Sequence, residues 1–91
     1  MAAETRVWLV ERTYSDDEQN LIILTYATPD GRQEFRKERA LTSFGGDHRE
    51  TSVSLTVPAS NLGVVDDPDT RDRYTTEATR MADMYAADDT L

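Results

Sequence analysis

Only one stretch of this chain has the spacing of an amphipathic helix, and it comes last. Tyr74, Ala78, Met81 and Tyr85 recur at intervals of four, three and four, which stacks them into one apolar stripe. Ala82 and Met84 are expected to widen it. Asp67 followed by Pro68 supplies the start, with a carboxylate at the N-cap and proline in the first turn. Whatever precedes this helix must bury its apolar residues in a sheet that a single helix covers.

The preceding residues read as strands. Residues 5–14 are rich in β-branched and aromatic side chains, and residues 20–28 hold the aliphatic run Leu21-Ile22-Ile23-Leu24. Thr28-Pro29-Asp30-Gly31 is a hairpin signal, because proline fixes φ and Gly31 can close the turn in the left-handed region. A third strand is expected over 32–38. Residues 51–57 alternate strictly, with Val53, Leu55 and Val57 on one face and Ser52, Ser54 and Thr56 on the other, which predicts a fourth. Pro58 ends it, and Leu62, Val64 and Val65 are expected to drape over the core. A short helical turn is possible between Arg39 and Glu50, and Asp88-Asp89-Thr90-Leu91 reads as a frayed tail. The order is ββββα, an α+β fold with a four-stranded, mainly antiparallel sheet, in one domain spanning residues 1–91.

Both faces of that sheet are apolar. Val7 and Leu9 oppose Trp8 and Val10 across the first strand, and Leu21 and Ile23 oppose Ile22, Leu24 and Tyr26 across the second. A bulged hairpin at Gly31 would set Thr25 opposite Phe35 and Ile23 opposite Lys37, while a two-residue turn would shift the register by one. With the former, the Leu21, Ile23 and Phe35 face lies beneath the helix. Trp8, Val10, Ile22, Leu24 and Tyr26 are then expected at an interface with a second copy, unless residues 39–50 or 58–66 cover them.

Composition narrows the setting. The 91 residues carry eleven Asp, seven Glu, nine Arg and one Lys, a formal net charge of −8. Acids hold water and cations, the scarcity of Lys removes exposed hydrocarbon stems, and Arg pairs carboxylates in two-pronged geometry. At molar salt the screening length falls to about 3 Å, so the self-repulsion of such a chain largely vanishes. The absence of cysteine excludes disulfides and thiolate chemistry. No apolar run approaches the roughly 20 residues of a membrane span, and Met1-Ala2-Ala3-Glu4 has no apolar signal core. A cytoplasmic protein is expected.

Three clusters could carry chemistry. Gly45-Gly46-Asp47-His48-Arg49 joins flexible backbone, an acid, a titratable base and a cation, the basis of a small enzyme or ligand binder, but matches no phosphate-loop pattern. Asp16-Asp17-Glu18 and Asp66-Asp67-Asp69 offer oxygen ligands without the spacing of a calcium loop, and the second is placed to cap the helix. Arg32, Phe35, Arg36, Lys37 and Arg39 form the one locally basic stretch, interrupted by Glu34 and Glu38. Nucleic-acid binding is disfavoured, since it draws on counterion release, which molar salt suppresses. No catalytic, cofactor or metal site is expected.

The segments Val7-Trp8-Leu9-Val10-Glu11-Arg12, Tyr26-Ala27-Thr28-Pro29-Asp30-Gly31 and Asp67-Pro68-Asp69-Thr70-Arg71 resemble those of small acidic proteins of halophilic archaea. The resemblance implies a salt-rich cytoplasm and carries over no functional residue. The expected role is a non-catalytic interaction domain acting as a homodimer or complex subunit.

Overall fold

A computed structural model describes residues 3–15, 21–40 and 51–90. It is an α+β structure. Five antiparallel strands run β1 (Glu4–Ser15), β2 (Leu21–Ala27), β3 (Gln33–Ala40), β4 (Ser54–Pro58) and β5 (Gly63–Val64), followed by the helix α1 (Pro68–Met84). Their order across the sheet is β4-β1-β2-β3-β5. The four strands expected are present, and the two-residue β5 is an addition to them. It was not legible because Gly63 and Val64 are too few to alternate.

Pairing through the sheet places Ser54, Trp8, Ala27, Glu34 and Gly63 in one row. The first turns of the helix pack on this side of the sheet. Tyr74 packs with Ala27, Val65 and Val10, and a cation–carboxylate contact ties Arg73 to Glu11 at 3.6 Å. Val7, Leu9, Ile22, Leu24, Tyr26, Val53 and Val57 form the main cluster, which the later turns of the helix join through Met81, and against which Trp8, Phe35, Leu55, Leu62 and Tyr85 also pack.

The hairpin register differs by one residue from the bulged pairing. Tyr26 faces Phe35, and Leu24 faces Lys37. Thr28 and Gln33 form the last pair before the turn, where the Thr28 N–H donates to the Gln33 carbonyl at 3.0 Å and the Gln33 N–H to the Thr28 hydroxyl at 3.2 Å. Asp30 fixes the loop, its Oδ1 accepting from the Thr28 hydroxyl at 2.6 Å and the Arg32 N–H at 3.0 Å. These bonds hold its carboxyl below the usual aspartate pKa, the Thr28 hydroxyl most and the Arg32 amide next. Phe35 therefore shares a side with Tyr26 in the main cluster, and not with the Ala27 row under Tyr74 as the bulged register had it.

A bulge between Leu9 and Glu11 bends β1. The first half of β1 pairs with β4 and the second with β2, so the two ladders are staggered about Trp8. Curvature is also required by chain length. A flat sheet would separate β4 from β5 by four strand spacings, about 19 Å, and Gly63 lies level with Ser54 rather than Pro58. The five steps from Pro58 to Gly63 reach about 18 Å at most when fully extended, and Ala59–Asn61 is a shorter 3₁₀ turn. The sheet must curl for its edges to be joined so briefly.

The helix keeps its expected start. Asp67 is the N-cap, its Oδ2 accepting from the Thr70 N–H at 3.2 Å and the Thr70 hydroxyl at 2.7 Å. Tyr74, Ala78 and Met81 are buried and Tyr85 half-buried, but Ala82 and Met84 are exposed, so the stripe is narrower than expected. The curled sheet already encloses much of the apolar surface, leaving the helix a narrow seat over β1. Leu62 and Val65 pack inward as expected, whereas Val64 is 68% exposed. The tail is docked through residue 90: the Val53 N–H donates to the Asp89 carbonyl at 3.0 Å, and Thr90 bridges Ser52. The expected short helical turn within 39–50 falls mainly on 41–50, outside the described residues.

Candidate interaction surface

The five residues expected at an interface divide between the two sides of the sheet. Ile22, Leu24 and Tyr26 are 6%, 2% and 1% exposed within one chain, and the Tyr26 hydroxyl donates to the Ser52 carbonyl at 2.7 Å. Trp8 and Val10 are half-buried on the helix side. The cause of the split is the pairing of Leu9, rather than Trp8 or Val10, with Tyr26. Trp8 still packs against the cluster that holds Ile22, Leu24 and Tyr26, whereas Val10 packs with Ala27, Val65 and Tyr74.

Charged groups along the helix–sheet seam are engaged with one another. Arg73 reaches Glu11 on β1 and lies 5.4 Å from the centre of the Tyr74 ring, while Arg36 and Glu34 pair along β3 at 3.3 Å. Burial pushes the Tyr74 phenol pKa up, and the carboxylates of Glu34 and Glu11 add to the shift. Arg71 Nε donates to the Val65 carbonyl at 2.6 Å, fastening the helix to the segment that leads into it. On the exposed helix face Arg80 Nε donates to Glu77 at 3.0 Å, a pair three residues apart on one helix face.

The remaining candidate clusters separate in the same way. Asp67 is committed to its cap, and among the described residues no group of three or more His, Cys, Asp or Glu could hold a metal ion. Asp16-Asp17-Glu18 and the loop with Gly45, Gly46, Asp47, His48 and Arg49 lie outside the described residues. In the basic stretch, Arg32, Arg36 and Lys37 are exposed but Phe35 packs against the core, so its ring is not an open stacking platform between the cations. Among the described residues no helix is long and apolar enough to cross a membrane.

The sheet edges carry a contrast that alternation could not reveal. Beyond its pairing with β5, the β3 edge bears Arg36, Lys37 and Glu38, all exposed. At the other end, β4 has one strand neighbour among the described residues, β1, and consists of Ser54, Leu55, Thr56, Val57 and Pro58. Arg6 and Ser54 clamp it there: Arg6 Nη1 donates to Ser54 Oγ at 3.1 Å, and that hydroxyl donates to the Val7 carbonyl at 2.7 Å. Alternation told which side of β4 is buried, not that it would end the sheet. The absence of charge in the segment was the available signal.

No curated protein and no solved structure matches this chain. A family model does match, over residues 1–91, and the chain belongs to that family of unknown function, DUF7967.

Proposed function

We propose that this protein is a non-catalytic interaction domain of a salt-rich cytoplasm, acting as a homodimer or as a subunit of a complex. The observation that carries this reading is the outer edge of β4. Both sides of the sheet are occupied within the chain, yet β4 has one strand neighbour among the described residues. An open strand edge offers backbone donors and acceptors to another extended segment, which is a general mode of protein association. The net charge of −8 supports the high-salt setting. The association proposed here uses the sheet edge rather than the Ile22, Leu24 and Tyr26 side.

Sedimentation velocity in molar KCl tests the reading. A particle heavier than the 10.3 kDa chain is expected at micromolar concentration. A chain-mass particle at every concentration would sink the homodimer. If the native protein in extracts of its own cells also sediments at chain mass, the complex-subunit reading fails too.

A further inference from the structure

We infer that the partner is a second copy of this chain, joined antiparallel along the outer edge of β4 about a two-fold axis at Thr56. The inference rests on the interaction reading above and names its partner. From Thr51 through Val65 the sequence has no charged residue, although 31% of the chain is Asp, Glu, Lys or Arg. Burial does not account for the whole gap, because Thr56, Ala59, Ser60, Asn61, Gly63 and Val64 are exposed. Depletion of charge is the compositional mark of an interface centre.

The backbone at this edge is aimed outward. The Leu9 N–H donates to the Val53 carbonyl at 2.9 Å, and the Ala59 N–H to the Ala3 carbonyl at 2.8 Å. Between these two bonds the antiparallel alternation turns Leu55 and Val57 toward β1 and Ser54 and Thr56 away from it. Thr56 is the exposed one of that outward pair. Pairing two copies about Thr56 sets each Thr56 N–H against the other's carbonyl, Leu55 against Val57, and Ser54 against Pro58, whose missing N–H leaves that last pair a single hydrogen bond. The ladder stops there, because the 3₁₀ turn Ala59–Asn61 follows β4 and the chain's own tail holds Ser52 and Val53. β4 itself, residues 54–58, maps onto itself without placing a charge opposite a charge.

That self-complementarity suits a chain of −8 meeting its own copy. Like charges directly opposite across a strand pair destabilise it, and the more distant repulsion is screened at molar salt. The other end of the sheet is built the opposite way: charges on β3 block strand addition, and β5 covers the start of that edge.

Light scattering in molar KCl on the wild type, Thr56→Lys and Glu38→Lys, with amide exchange on the wild type, tests the inference. The wild type should have twice the mass of the 10.3 kDa chain. Thr56→Lys, which sets two ammonium groups together at the axis, should have the mass of one chain with its helical circular dichroism retained. Glu38→Lys, on the opposite edge, should remain a dimer. The wild-type Thr56 amide should exchange slowly at dimer concentrations and faster on dilution, a readout that stands even if Thr56→Lys fails to fold. A wild type of single-chain mass at high micromolar concentration overturns the inference together with the homodimer reading. A wild-type dimer whose Thr56 amide exchanges freely overturns the β4 edge alone and leaves self-association standing.

Discussion

The carbonyl oxygen of Arg71 occupies the place where a side chain on Gly31 would begin. Gly31 has φ +71°, and Thr75 Oγ1 closes the same space from the next turn of the helix. The β2–β3 hairpin and the start of α1 thus meet backbone to backbone. Gly31→Ala combines left-handed strain with a steric clash, and a loss of about 2–4 kcal/mol is expected. Urea unfolding at fixed KCl measures it; a loss under about 1 kcal/mol would mean that the helix does not seat on this turn.

The helix stripe gives a paired test. Met81 is buried against the main cluster, whereas Thr79 is exposed two residues away. Met81→Asp desolvates a carboxylate and should cost several kcal/mol, enough to unfold a chain this small. Thr79→Asp should shift stability by about 0.5 kcal/mol or less. Thermal melts of both variants in the same salt check the contrast, and similar losses would place the buried stripe elsewhere.

Removing the helix cap should have a smaller effect. Asp67→Ala leaves the Thr70 N–H and hydroxyl without their shared acceptor, Oδ2. A loss of about 1 kcal/mol is expected, with Asp67→Asn retaining most of the stability. Urea midpoints of the three proteins decide it, and an Asn variant as weak as Ala would deny the cap its role.

The same residues show what alternation can and cannot give. Val53, Leu55 and Val57, and Tyr74, Ala78 and Met81, were legible because each lies within one element, where side-chain direction follows from spacing alone. Which strands pair was not. Thr28-Pro29-Asp30-Gly31 is compatible with more than one register, and Asp30 decides between them through two hydrogen bonds that no periodicity announces. The bulge beside Val10 adds a further shift. The position of β4 at the sheet edge depends on such pairings, so the surface proposed for association could not be found from facial pattern.

Tyr74 links burial to pH. Its raised pKa means that the folded state holds the phenol proton more tightly than the unfolded chain, whose tyrosines titrate near pH 10. The associated stability is fully present below that pH and is lost as pH rises through the higher folded-state value. Tyr74→Phe should therefore flatten the alkaline decline in melting temperature. Spectrophotometric titration near 295 nm (an assay wavelength, about the tyrosinate maximum) should lose one late-titrating phenol in the variant. An unchanged alkaline limb would assign the decline to other groups.

Salt dependence follows from where the acids sit. Asp66, Asp67, Asp69 and Asp72 are all exposed around the first turns of α1, with Asp83, Asp88 and Asp89 exposed toward its other end. The helix N-terminus favours nearby acids, but only within its first turn. The rest of this negative surface repels itself across the 17-residue helix. Screening shortens from about 10 Å at 0.1 M salt to about 3 Å at 1 M, so that repulsion is lifted over this range. Melting temperature should rise steeply with KCl, and sodium sulfate should raise it further by strengthening apolar burial. Replacing Asp69, Asp72 and Asp83 together by Asn should raise stability at low salt and leave it nearly unchanged at molar salt. A KCl response that is flat, or equal in the wild type and the triple variant, would remove charge repulsion as its cause and with it the high-salt setting proposed for the protein.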